Sequence, residues 1–308
     1  MFLLLPGKTG RSIAVVLFTF ALLLAIPAGG AQSLPRCCVW RVTNAKAPFY
    51  LVGSIHALSK KDYPLPAPYE IALREVNRLV LEFDPNQHAE FDKKFVAAAR
   101  YPAGQDIRSK IHPELLAWLR ANVAVDVDPR HAKKSRGAAF DNGLAYKPWW
   151  IAQHLATKDA DSKASSVHGL DNYLVDRAKE MGKEIGGLES VDEHVAVLGG
   201  LSDRDGEILL RNALTPPKNG ADDSKRMLKA WRTGDIATLW AADAQLRNEA
   251  PWIAARFVED RNVKWVPRIV SEMNSGKPTA IVAGALHFSG PKSVIKLLEK
   301  QGYTIEQL

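Results

Sequence analysis

Two short apolar runs constrain most of what this chain can become. "FYLVG" (49–53) and "TAIVAG" (279–284) are rich in β-branched and aromatic residues. Both are too short for a buried helix, so each reads as a buried strand. Each ends on a glycine that lets the backbone turn sharply or approach a ligand closely. Three residues after each glycine stands a histidine, His56 in "GSIH" and His287 in "GALH".

The segments C-terminal to the two histidines are also alike. After His56 the prolines of "ALSKKDYPLPAP" forbid a regular helix until about Pro68. Tyr69, Ala72, Val76 and Leu79 then recur at helical spacing, and "LVLEFD" (79–84) is the next strand. After His287, Pro291 suits a first helical turn. "SVIKLLEKQG" is a helix with Gly302 just past its end, and "YTIEQL" is a closing strand. A related unit lies at 165–190, where Leu170, Leu174, Ala178 and Met181 mark a helix, Gly182 stops it, and a strand ends at Leu188–Glu189. "VWRV" (39–42) is a further short strand.

Strands alternating with helices predict an α/β fold. The layering is α+β in character: a central sheet built from the N- and C-terminal strand–GxxH–helix–strand units, with a largely helical middle. Helical patterns cover 89–100, 112–123, 145–157, 191–215, 224–245 and 252–274. The middle lobe therefore occupies about 89–165 and 191–274, as a cap or second lobe. The stretches 126–138 and 216–224 read as exposed loops or small hairpins.

The first 31 residues are read apart from the fold. Lys8 and Arg11 precede an uncharged apolar stretch from Ser12 to Ile26, and Gly29 and Ala31 provide small residues for a signal peptidase. That stretch is about 15 residues, against the ~20 that a bilayer span needs. A cleaved signal peptide (1–31) is expected, leaving 32–308 as a single domain exported across the inner membrane to the periplasm, with no stable membrane span. The chain carries 41 Lys and Arg against 34 Asp and Glu, and two of those cations lie in the leader. The remaining balance is mildly basic and interspersed, and "HAKKSR" (131–136) reads as a solvated loop, so nucleic acid is not an expected partner. The only cysteines, Cys37 and Cys38, are adjacent. They offer neither CxxC nor metal spacing and read as small strand residues.

The candidate site residues gather at strand ends. In open α/β sheets ligands bind at the carboxyl edge, where His56 and His287 would project. Glu82 interrupts the apolar strand "LVLEF", and Glu189 follows "IGGL" at another strand end. A buried carboxylate needs a cation, a donor network or solvent. Two imidazoles with one or two carboxylates suit a divalent cation, and serve equally as general acid and base without one. In "DRN", Arg261, Trp265 and Ile269 fall on one helix face at i, i+4 and i+8. Arg261 is thus an inward cation that requires a partner, with Asn262 beside it. The other histidines, among them His88, His112 and His131, read as ordinary surface or core residues.

"WRV…PFYLVGSIHALSKKDYPLPAPYEIALREVNRLVLEFD" resembles the opening of the TraB/GumN family, which includes the Tiki-like proteins. The resemblance continues through "GLDNYLVDRAKEMGKEIGGLES", "EDRNVKWVPRI" and "VAGALHFSGPKSVIKLLEKQGYTIEQL". It implies two GxxH motifs plus acidic residues as the hallmark, at His56, His287, Glu82 and Glu189. It also implies a fold like that of erythromycin esterases and ChaN-like haem-binding proteins. Tiki-like members are described as divalent-metal-dependent proteases. The function this implies is a secreted metal-dependent hydrolase acting on a peptide or protein substrate. His56, Glu82 and His287 would hold Mn, Co or Zn, Glu189 would move a proton, and Arg261 and Asn262 would support the site. Two alternatives stand beside it, a metal-independent esterase-like hydrolase and a non-enzymatic protein that binds haem, a metal or a peptide.

Overall fold

The computed structural model describes residues 36–123, 143–159, 168–215 and 220–308. The leader at 1–31, the loop at 126–138 and its basic run at 131–136 lie outside them, as do positions 216–219 of the second loop.

Six strands form one mixed sheet: β1 (Val39–Val42), β2 (Phe49–Ser54), β3 (Arg78–Phe83), β4 (Glu184–Glu189), β5 (Thr279–Gly284) and β6 (Ile305–Gln307), in the order β4-β3-β5-β2-β1-β6. The first four in that order are parallel, while β1 runs antiparallel to both β2 and β6. The last long strand of the chain therefore sits between the two strands of the N-terminal unit. β2 is buried at every position and β5 at all but its last, as a central parallel strand covered on both faces must be.

The helices, in chain order, are α1 (Ala67–Glu75), α2 (His88–Ala99), α3 (Pro113–Asn122), α4 (Pro148–Asp159), α5 (Leu170–Glu180), α6 (Val191–Gly199) and α7 (Asp203–Leu214). They continue with α8 (Gly220–Arg232), α9 (Ile236–Ala242), α10 (Ala244–Glu249), α11 (Pro251–Phe257), α12 (Glu259–Asn274) and α13 (Val294–Glu299). The sheet and the helices against it share one apolar core, in which Phe49, Leu51, Leu79, Trp231, Trp265, Ile269 and Ile281 are at most 1% exposed. Two smaller clusters lie among the helices, around Ile107, Leu119, Ile151 and Leu210, and around Trp149, Ala250 and Ile253.

Three long helical patterns are broken, two of them where a side-chain cap starts the next helix. The 191–215 pattern divides at Gly199–Gly200, and Ser202 then caps α7 by accepting from Asp205 N at 3.1 Å. The 224–245 pattern gives way at Gly234 (φ 66°), and Asp235 accepts from Thr238 N at 3.0 Å to start α9. The 252–274 pattern breaks at Val258, so Arg261 lies in the first turn of α12. Pro291 falls in the turn before α13 and not in its first turn, because Ser293 takes the cap by accepting from Lys296 N at 3.2 Å. Cys37 and Cys38 are buried free thiols whose pKa values burial pushes up, Cys37 to about 12. Neither has the exposed, electropositive setting of a reactive thiol.

Candidate active site

Both GxxH turns emerge at the carboxyl edge of neighbouring parallel strands. Ser54 of β2 pairs with Gly284 of β5, so the two glycines are offset by one residue across the ladder. They serve different ends. A Cβ at Gly53 would lie 2.9 Å from the Cβ of Cys38, so this glycine permits β1 to pack closely. Its carbonyl accepts from the Tyr69 hydroxyl at 3.0 Å and from Trp231 Nε1 at 2.9 Å. A Cβ at Gly284 would instead point into the site. It would lie 3.5 Å from Glu82 Oε1, 3.6 Å from His56 Nε2 and 3.8 Å from His287 Cδ2. The two histidines and Glu82 therefore face one small space.

Each imidazole is oriented from behind. Asn262, fully buried, donates its Nδ2 to the carbonyls of His287 and Lys292 at 3.2 and 2.9 Å. Those bonds turn its oxygen toward His287 Nδ1, 2.7 Å away, so Nδ1 carries the proton and Nε2 keeps its lone pair. Trp265 packs on the same ring with centroids 4.3 Å apart. Burial drives the His287 pKa down to about 4, which keeps this imidazole neutral. His56 is set differently. Its side chain is 71% exposed, and Nδ1 donates to Asp171 Oδ2 at 2.9 Å. The Asp171 hydrogen bond raises its pKa to about 9.

That shift has a testable sign. Raised above the ordinary 6.5, the His56–Asp171 pair adds stability that is complete below 6.5 and lost as pH rises through about 9. Asp171→Asn is expected to return the His56 titration, followed by imidazole NMR on metal-free protein, toward 6.5 and to flatten stability between those two pH values. An unshifted titration would disprove the pairing.

The carboxylates converge on Arg261. Its Nε donates to Glu189 Oε1 at 2.7 Å, and Nη2 donates to Glu189 Oε2 at 2.9 Å and to Glu82 Oε2 at 2.6 Å. The three side chains are 11, 6 and 14% exposed for Arg261, Glu189 and Glu82. Glu189 also accepts from Trp265 Nε1 at 2.9 Å and lies 2.7 Å from His194 Nδ1. Each of its oxygens thus has two partners, which fills a carboxylate's acceptor capacity. Burial works to raise both carboxyls. For Glu189 the His194 and Arg261 hydrogen bonds outweigh it; for Glu82 the charges of Arg261 and His56 and the Gly284 N–H outweigh it. Both stay ionised. Arg261 and the protonated His56 face three carboxylates, Glu82, Glu189 and Asp171, which leaves one net negative charge across the site. Glu82 Oε1 accepts from Gly284 N at 2.9 Å and lies 3.8 Å from His287 Nε2.

The structure thus brings together His56, Glu82, Glu189, Arg261, Asn262 and His287. Two members were not singled out from the sequence. Asp171 is one acid among several at a helix start. His194 is one helical turn past the Ser190 cap of α6 and stacks on Phe83 with ring centroids 4.6 Å apart. Neither position has a local pattern that distinguishes it. Among the described residues, no three or more His, Cys, Asp and Glu side chains form a ready-made group that could hold a metal ion. Nor, among those residues, is any helix long and apolar enough to cross a membrane.

A mixed α/β domain with paired histidine turns and buried carboxylates at one sheet edge is what the geometry defines. The chain belongs to the TraB/PrgY/gumN family, whose profile matches residues 38–307. It is 23% identical to the zebrafish (Danio rerio) protein named Metalloprotease TIKI1, over 89% of this chain and 64% of that protein. It is 23% identical to the Metalloprotease TIKI homolog of Amphimedon queenslandica, over 88% of this chain and 61% of that one. It is 26% identical to YbaP of Escherichia coli K12, over 81% and 87% respectively. The chain thus spans a little over three fifths of the length of these two TIKI relatives. No solved structure matches it.

Proposed function

We propose that this protein is an exported hydrolase of peptides or proteins that works with a divalent metal ion held by His56, Glu82 and His287. The observation that carries the reading is the space beside Gly284, faced at 3.5 and 3.6 Å by Glu82 Oε1 and His56 Nε2 and at 3.8 Å by the His287 ring. The donors fit such an ion in kind. Both imidazoles have Nδ1 committed to an oxygen behind them, the arrangement that aims Nε2 at a metal. The one negative charge left over across the site favours a cation. The relatives named as metalloproteases support the same direction.

An ion bound there would polarise a substrate carbonyl and lower the pKa of water to about 7. The chain's own groups have separate tasks. Asp171 and Asn262 hold the two rings. Glu189, filled on both oxygens, clamps Arg261 and is assigned to positioning and not to proton transfer. Arg261 fixes Glu82 through Oε2, which leaves Oε1 to face the ion or to take a proton. The leader's charge and apolar pattern support export, and cell fractionation with its cleavage site mapped by N-terminal sequencing tests that.

One specific feature favours a second reading without metal. His56 Nε2, backed by Asp171, is placed to move a proton, as an acid below about pH 9 and as a base above it. Chelation separates the two: cleavage of a mixed peptide pool should stop on metal removal and return with Mn, Co or Zn. Activity that survives exhaustive chelation would replace the first reading with the second. Gly284→Ala offers a sharper check. Its φ of −50° suits alanine, and the new methyl would fill the space among the donors. Stability should change by less than about 1 kcal/mol, while elemental analysis shows no bound metal. Full metal content in that variant would place the ion elsewhere.

A further inference from the structure

Arg261 already does part of what a metal ion would do. Its guanidinium bridges Glu82 and Glu189, and Nη1 lies 3.4 Å from His287 Nε2, the nitrogen proposed to face the ion. The metal-free site is therefore neutralised to within one charge by a side chain of the chain itself. A divalent ion beside Glu82 Oε1 would meet that positive charge at close range, and in a buried setting such repulsion is weakly screened. The guanidinium also has an anchor besides Glu82. On the side formed by α6 and α12 it borders a cavity of about 200 Å³ lined by Glu193 and Asp260 but also by Arg256, Lys264 and Arg268. Glu193 is already paired to Arg268, so the hold on Arg261 comes from Glu189. Glu189 grips Nε and Nη2, so Nη2 can leave Glu82 while Nε keeps its bond.

We infer that Arg261 is a resident cation that competes with the metal for Glu82: it neutralises the carboxylates in the metal-free protein and gives up Glu82 when the ion binds, staying held by Glu189 alone. The inference rests on the site being a metal centre. It carries a consequence that a purely structural or purely catalytic arginine would not. Arg261 holds the metal-free protein together but opposes the ion, so it keeps metal affinity modest and exchange easy.

The test is binding of Co²⁺ alone, by calorimetry and by the visible absorption of the bound ion, to full-length wild type, R261Q and R261K. R261Q should bind Co²⁺ at least tenfold more tightly, start from a lower metal-free melting temperature, and gain more on loading than wild type. R261K keeps the charge and should bind no more tightly than wild type. Should R261Q be unfolded without metal, Co²⁺ should restore its far-UV circular dichroism. A folded R261Q that binds no tighter than wild type, or an unfolded one that Co²⁺ does not rescue, overturns the inference and leaves the metal reading standing. If wild type and R261Q both ignore Co²⁺, Mn²⁺ and Zn²⁺, the metal reading fails and the inference fails with it.

Discussion

His56→Ala is expected to abolish metal uptake and to lower peptide cleavage by at least about a hundredfold, more than loss of a residue behind a ligand costs, while leaving the fold intact. The separation of effects comes from where this ring sits. His56 is 71% exposed, and its hydrogen bond is to Asp171, a surface partner. Truncating it opens no cavity in the core, so above about pH 9, where the His56–Asp171 pair no longer adds stability, its melting temperature should stay within about 2 °C of wild type. His287→Ala should lose metal equally but cannot be read so simply. That ring is buried against Trp265 and satisfies Asn262 Oδ1, so its removal costs packing and leaves a buried acceptor unpaired. Elemental analysis of His56→Ala purified without added metal decides the matter, because normal metal content there would exclude His56 as a ligand.

The second large effect is on stability. Glu189→Ala should destabilise the protein by about 3–5 kcal/mol, the range for removing one partner of a buried ion pair. It strips Arg261 of two hydrogen bonds and leaves Trp265 Nε1 and His194 Nδ1 without their acceptor. Glu189→Gln keeps the volume and part of the bonding, so it should cost less. Urea unfolding measures both, and a cost below about 1 kcal/mol for the alanine variant would be that of an ordinary surface acid.

Much of this architecture was legible because it rests on short-range signals. Each apolar run bounded by a glycine became a strand, Gly182 and Gly302 ended their helices with positive φ, and the face of Arg261, Trp265 and Ile269 turned inward. Long helical patterns were the weak point, since periodicity continues across a capped break such as Gly200–Ser202. The site was legible to the extent that polar residues sat where apolar ones were expected, as Glu82 does in β3. Asp171 and His194 escaped because their importance comes from what stands across from them. His56 and Asp171 are 115 positions apart, and no local pattern encodes that meeting. The strand order was equally non-local. Nothing in "TAIVAG" says that it belongs between β2 and β3.

That insertion has a bearing on how the protein comes into being. Until residues 279–284 are made, β2 and β3 have no neighbour between them, and His56 and Glu82 stand on opposite sides of an unfilled slot. The N–H of Gly284 that holds Glu82, and the ring of His287, arrive with the last tenth of the polypeptide. A growing or truncated chain that ends before β5 therefore carries its chemical groups unassembled. Closing the sheet over so long a separation is also a slow kind of folding step. A site assembled in this way cannot form on a growing chain until its synthesis is nearly complete.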